Sequence, residues 1–189
     1  MCAIHFSARL NRWAVPLALA ALLPLAARAQ TTALPPPVPT PSEEIAALVK
    51  SGQPQRALER ADAALAKSPR DIQVRFQRAV ILGDLGKTAE ATAALEAMTQ
   101  DFPELPEPHN NLGVILANQG RYEQARAALQ RAIAAAPDYV TAHENLGDLY
   151  IAMAAEMYQQ AIKLDPKAAG LQNKLKQARE LSVRLRSIK

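Results

Sequence analysis

A spacing of 34 residues recurs through this chain and limits the folds that it can adopt. Four sets of identical residues are separated by this interval: Gly52, Gly86 and Gly120; Ala57, Ala91 and Ala125; Pro69, Pro103 and Pro137; Leu48, Leu82 and Leu116. A unit of this length holds one supersecondary motif and is too small to bury its own apolar face. The spacing therefore predicts several similar units that stack on one another.

Each set predicts a place in a pair of helices. The leucines face inward from a first helix, and the glycines end that helix because a left-handed backbone is easiest for glycine. The alanines mark the closest packing of a second helix, which the prolines stop. Hydrophobic residues make up 49% of the chain and aromatic residues only 4%, and alanine favours helix. We expect an all-α fold, an α-solenoid of helical hairpins.

The third unit resembles the tetratricopeptide repeat (TPR) family. Its sequence from His109 to Pro137 has the family's residues at eight positions: Leu112, Gly113, Leu116, Gly120, Tyr122, Ala125, Ala132 and Pro137. The resemblance implies a repeat domain at 42–166, with units at 38–71, 72–105, 106–139 and a shortened 140–166. The family's early tryptophan is replaced in the four units by Pro41, Arg75, His109 and His143.

The shortened fourth unit predicts a change in the stack. His143 and Pro166 are 23 residues apart, whereas His109 and Pro137 are 28 apart. The five missing residues include the turn and its glycine. We therefore expect one continuous helix over about 141–164 in place of a hairpin, and an end or a change of direction of the stack there.

The N-terminal region is typical of a secretory signal. Arg9 and Arg12 precede the apolar stretch 13–27, and a small-x-small cleavage pattern follows at 27–29. We interpret residues 1–29 as a cleaved signal peptide, because a retained membrane anchor would need about 20 apolar residues. The proline-rich residues 30–41 then form a linker, since proline favours extended polyproline II. Export predicts a periplasmic location in a bacterial cell.

Composition argues against several classes of function. Cys2 is the only cysteine and would be removed with the signal, as would three of the 22 basic residues, leaving 19 against 18 acidic ones. The near-neutral mature chain therefore gives little support to nucleic-acid binding. His109 and His143 share one column and are interpreted as packing residues, with no third metal ligand. We expect no enzyme activity, no metal and no cofactor.

Residues 167–189 predict a basic amphipathic helix. Leu171, Leu175, Ala178, Leu181 and Leu185 form an apolar stripe, and seven basic residues accompany one acidic residue. We interpret this segment as a capping helix that covers the end of the stack. A contact with anionic lipid, with an acidic partner or with the chain's own acidic surface is left open.

The first helices should line the concave face, which binds peptides in this family. Gln77, Asn111 and Asn145 are 34 residues apart, and each amide carries a donor and an acceptor that an extended peptide could meet. The arrangement is similar to asparagine ladders in some members of the family; the first unit has Glu43 at this position. Structural hydrogen bonding is the alternative role. Three such bonds give about 2–5 kcal/mol, whereas micromolar binding needs about 8 kcal/mol.

Other groove contacts must therefore contribute, and the candidates are Asn110, Asn118, Glu144 and Asp148. The family's clamp for a C-terminal carboxylate needs positive charge where this chain has Glu107, Glu144 and Asp148. We therefore expect a basic or neutral segment to be preferred.

These observations predict a protein–protein interaction module or scaffold in the bacterial cell envelope that binds a polypeptide segment. The alternative is a membrane- or wall-associated structural protein that docks through residues 167–189. Self-association through the exposed end of the truncated stack is a third hypothesis.

Overall fold

The computed structural model describes residues 38–187, with side chains as far as Ser182, and this part contains eight α-helices and no strand. The predicted signal peptide 1–29, and the linker up to residue 37, lie outside the described residues. The helices are α1 (Pro41–Lys50), α2 (Pro54–Lys67), α3 (Ile72–Asp84), α4 (Thr88–Asp101), α5 (Pro106–Asn118), α6 (Tyr122–Ala135), α7 (Val140–Leu164) and α8 (Leu171–Ser187).

The first six helices form three hairpins with equivalent turns. At the third turn Gly120 has φ +74°. Its N–H donates to the carbonyl of Ala117 at 3.0 Å, and the N–H of Arg121 donates to the carbonyl of Leu116 at 2.9 Å. The other two turns repeat this pattern with Gly52 and Gly86. The glycine and leucine columns of the sequence therefore belong to one turn, in which the last helical carbonyls are satisfied.

Small residues set the distance between the two helices of a hairpin. Ala57, Ala91 and Ala125 are fully buried, each with 0% of its surface exposed. Gly113 on α5 faces α6 so closely that an added Cβ would lie 2.7 Å from Cγ of Leu129. The alanine column therefore marks the closest packing, as predicted.

The fourth unit confirms the prediction of a continuous helix, since α7 runs from Val140 to Leu164 without a turn. The chain then reverses at Gly170, where φ is +83°, and α8 packs against α7. The prediction that Pro41 lies in a non-helical linker is wrong. It is the first residue of α1, a position that proline favours because its missing N–H has no partner there.

The stack curves with the first helices on its inner side. Contacts run along the row α1, α3, α5 and α7, whereas the second helices α2, α4 and α6 make no contact with one another in the described part. Two clusters fill the interior. One lies around Ile45, Ala61 and Val74, and the other lies around Leu95, Leu129 and Leu149.

Candidate functional site

The amide column lies on three neighbouring first helices. Gln77 is on α3, Asn111 on α5 and Asn145 on α7. The Nε2 of Gln77 donates to the carbonyl of Ser42 on α1 at 3.0 Å. The Nδ2 of Asn145 donates to Oδ1 of Asn110 on α5 at 2.9 Å. Two of the three amides therefore use a donor to hold one first helix against the preceding one.

Asn110 is the link in this network. It has no exposed surface, it accepts from Asn145, and its Nδ2 donates to Oδ1 of Asn111 at 3.2 Å. It was expected from the sequence as a further groove contact, and the structure places it inside the stack between α5 and α7. The 34-residue period identifies the amide column, but it does not reveal that a neighbouring residue completes the bonding.

Two amide oxygens of this network are buried without a hydrogen-bond partner among the described residues. They are Oε1 of Gln77 and Oδ1 of Asn145. A buried acceptor without a donor costs about 1–3 kcal/mol, and such groups are rare in native proteins. Each oxygen exposes less than 1 Å² of surface, so the neighbouring side chains would have to move before a donor outside the chain could reach it.

The remaining predicted groove residues lie nearer to solvent. Asn118 and Glu144 are exposed and Asp148 is half-buried. Glu107 lies close enough to Tyr139 to act on it: burial, and then the charge of Glu107, raise the pKa of Tyr139 to about 12. The inner helices α5 and α7 thus combine amides with carboxylates.

In the first unit the position of the amide column is occupied by Glu43, which caps a helix instead. Its Oε2 accepts from the backbone N–H of Thr40 at 2.7 Å, and its own N–H donates to Oγ1 of Thr40 at 3.2 Å. The bond from the backbone of Thr40 lowers the pKa of Glu43 below 4.5. This capping box at the start of α1 has the sequence pattern Thr-x-x-Glu, a signal that could have identified it.

The two histidines bind backbone carbonyls. Nε2 of His109 lies 3.1 Å from the oxygen of Pro103, and Nε2 of His143 lies 2.9 Å from the oxygen of Pro137. Because a carbonyl only accepts, Nε2 must carry the proton in both rings. Each histidine therefore ties a first helix to the loop before it. In residues 38–187 no three histidine, cysteine or acidic side chains are grouped as metal ligands would be.

The basic C-terminal helix contacts α7 through part of its apolar stripe. Leu175 is buried and Leu181 is 45% exposed. Nζ of Lys174 lies 5.9 Å from the centre of the Tyr158 ring, and Arg179 donates to Oε1 of Gln159 at 3.1 Å. Among the described helices, none has both the length and the apolar content needed to cross a bilayer.

Stacked helical hairpins with an amide-lined inner row define this domain as an α-solenoid of the protein-interaction class. The profile of the Tetratricopeptide repeat family matches residues 48–110 and 84–146, which together cover more than half of the chain. The chain belongs to the tetratricopeptide repeat family. A search of curated proteins finds no significant match.

Solved structures of the same fold are similar over most of the described part. MamA residues 41-end from Desulfovibrio magneticus RS-1 align with a TM-score of 0.54 at 21% identity, over 69% of this chain and 76% of that one. The first TPR domain of human RPAP3 gives 0.58 at 17%, over 62% and 92%. A thermophilic TPR protein of Thermus thermophilus gives 0.51 at 18%, over 73% and 96%. At these identities the likeness shows the fold.

Proposed function

We propose that this chain is an exported, non-catalytic interaction module of the bacterial cell envelope that binds an extended polypeptide across the inner faces of α3, α5 and α7. The observation that carries the proposal is the pair of buried amide oxygens on Gln77 and Asn145 that lack a donor among the described residues. Backbone N–H groups of an extended segment are donors of the required kind, and they recur along any sequence.

One of the two N–H donors of each amide is already engaged, and this changes the expected mode of binding. Nε2 of Gln77 and Nδ2 of Asn145 hold neighbouring helices together, so we expect the ligand to bind mainly the unpartnered oxygens. Two bonds to peptide N–H groups contribute about 1–3 kcal/mol. Asn118, Glu144 and Asp148 supply the further contacts. Because the last two are acidic, a neutral or basic segment is preferred over an acidic one.

The first experiment identifies the bound segment. A photo-crosslinking amino acid replaces Asn118, which is exposed on α5, and a second variant carries it at Gln130, which is exposed on α6. We expect intact cells to give a protein adduct from position 118 that is absent from position 130. The matched pair separates binding at the inner helices from collisions with any exposed surface.

The second experiment tests the acceptors with the partner so identified. Gln77→Met and Asn145→Leu remove the amide at little change in volume. The double variant should bind about 5- to 100-fold more weakly, because two hydrogen bonds are lost. Gln130→Met is the control. Melting temperatures show whether the Asn145 variant keeps its fold after the loss of the bond to Asn110, and the Gln77 variant tests the proposal independently. Unchanged affinity in both single variants contradicts the proposal.

The second candidate function is docking to a membrane or wall through residues 167–189. Lys174 and Lys176 are exposed on α8, and Leu181 is 45% exposed. Flotation with vesicles that contain anionic lipid, with and without residues 167–189, distinguishes the two functions. Flotation that requires this segment supports docking, whereas a chain that does not float supports the interaction module.

A further inference from the structure

One face of α7 lacks the cover that the equivalent face of α5 receives. In the third unit α6 packs on Gly113 and Leu116, and Leu116 is 4% exposed. The equivalent residues of the fourth unit are Gly147, which is exposed, and Tyr150, which is 47% exposed. A Cβ added at Gly147 would meet no atom of the described residues within 4 Å. Because the turn is lost, this packing face of α7 has no second helix against it within the fourth unit.

This face continues along the whole of α7. The residues on this face are separated alternately by three and four positions. We call them the seam: Val140, His143, Gly147, Tyr150, Ala154, Met157, Ala161 and Leu164. Val140 is 75% exposed, Met157 54% and Leu164 88%. A repeat of 3.5 residues is the pattern by which two helices pack as a coiled coil.

Neither the solenoid nor α8 covers the large side chains of the seam, since Val140, Tyr150, Met157 and Leu164 are all exposed. The buried residues of α7 that face the rest of the stack include Ala142, Asn145 and Leu149. The contacts with α8 involve Tyr158 and Gln159. At 100° per residue the buried positions fall on another side of the helix, whereas Tyr158 lies five full turns from Val140 and therefore borders the seam, next to α8. Among the described residues these exposed members of the seam therefore have no packing partner along a helix of 25 residues.

The seam is complementary to itself when two copies run antiparallel. The positions of the seam are symmetric about residue 152. A two-fold axis at that residue therefore places the inner large side chains opposite small ones, and the first residue of the seam opposite the last. The facing pairs are Val140 with Leu164, His143 with Ala161, Gly147 with Met157, and Tyr150 with Ala154. A two-fold interface requires this self-complementarity.

The intact third hairpin points independently to the same part of the helix. Gly113 faces Leu129 and Ala125 on α6. The prolines that follow, Pro137 and Pro166, are 29 residues apart, so the residues equivalent to Leu129 and Ala125 are Tyr158 and Ala154. A helix that covered Gly147 as α6 covers Gly113 would therefore place residues 154–158 over it.

We propose that the occupant of the seam is a second copy of this chain. The two α7 helices pack antiparallel, and the C-terminal half of each one replaces the second helix that the other copy's fourth unit lacks. Two truncated stacks thereby complete each other. The proposal rests on α7 alone and does not depend on a ligand for the amide column.

The first test measures mass in solution. The purified chain, carrying Cys2→Ser wherever Cys2 is retained, should sediment as a dimer. Insertion of Ala-Asn-Gln-Gly-Arg between Tyr150 and Ile151 restores the five-residue turn of the third unit and should give a monomer, because the fourth hairpin can then close within one chain. Gly147→Gln should raise the dissociation constant at least about tenfold, since its side chain meets the partner helix at two symmetric places. Gly83→Gln, at another open glycine, should leave it unchanged.

The second test fixes the register with disulfides. In the double variant Gly147→Cys and Met157→Cys the two thiols are about 15 Å apart within one straight helix, too far for an internal bond. Mild oxidation should therefore produce a covalent dimer, and Gly147→Cys alone should not. A wild-type chain that stays monomeric at all concentrations, or a dimer that the paired cysteines fail to crosslink, overturns the proposal.

Discussion

Replacing Gly113 by alanine should destabilise the repeat domain, whereas the same replacement at Gly147 should stabilise it. The two glycines occupy the same position of consecutive units. At Gly113 the new Cβ would lie 2.7 Å from Cγ and 3.0 Å from Cδ2 of Leu129, and 3.2 Å from the carbonyl oxygen of Ala125. Carbon atoms pack at about 3.5–4.0 Å. Leu129 is fully buried, so α5 and α6 must separate to relieve the overlap.

The magnitudes follow from two opposing terms. Alanine favours a helix interior over glycine by about 1 kcal/mol, and overpacking of a tight contact costs up to about 3 kcal/mol. Gly113→Ala should therefore lower the free energy of unfolding by about 1–2 kcal/mol. At Gly147 no described atom lies within 4 Å. At protein concentrations where the chain is monomeric, the helix term therefore acts alone, and the replacement should raise the free energy of unfolding by about 0.5–1 kcal/mol.

Urea unfolding followed by circular dichroism measures these free energies. Thermal melts should move by about 2–4 °C for each kcal/mol in a domain of this size. Gly83→Ala is the control, because that glycine is helical and also faces open space. If Gly113→Ala is as stable as the control, α5 and α6 are not in the close contact described, and the reasoning fails.

Three further predictions concern single groups and the N-terminal segment. In a spectrophotometric titration one tyrosine should ionise near pH 12, and Tyr139→Phe should remove that phase. Because its pKa is raised in the folded state, the contribution of Tyr139 to stability is present below pH 10 and is lost as the pH rises toward 12. Thr40→Ala should cost about 1 kcal/mol through loss of the helix cap. The Thr40 side chain also donates to the Glu43 carboxylate and helps to lower its pKa, so this part of the difference between variant and wild type should be lost as the pH falls through the pKa of Glu43. Residues 1–29 fused to a phosphatase that works only after export should give active reporter, and inactive fusions would contradict the predicted signal.

The hairpins and the long α7 could be predicted from the sequence because local rules determine them. A glycine with positive φ ends each first helix, and its absence between Tyr150 and Leu164 removes the turn. The position of Pro41 is harder to predict because proline favours the first turn of a helix as well as extended linkers. The choice between these two roles depends on Thr40, whose side chain caps α1.

The bonding of the amide column could not be predicted in the same way. The 34-residue period shows that Gln77, Asn111 and Asn145 share a position, but their partners depend on how far adjacent units are rotated. That rotation places Asn110 opposite Asn145. Whether Gly147 is covered likewise depends on the path of α7. No described atom lies near Gly147, whereas Leu129 and Ala125 pack against Gly113 at the same position of the preceding unit.

The order of contacts along the chain also governs how the protein folds. Every helix of the described part touches only its neighbour or the next helix but one in sequence, so the contact order is low and folding should be fast. Opening should begin at an end and proceed one hairpin at a time, with amide hydrogen exchange fastest in α1 and α2, which interact with the rest of the described protein through α3 alone. A polypeptide that bridges α3, α5 and α7 would join these segments into one cooperative unit, and slower exchange across all three would report its binding.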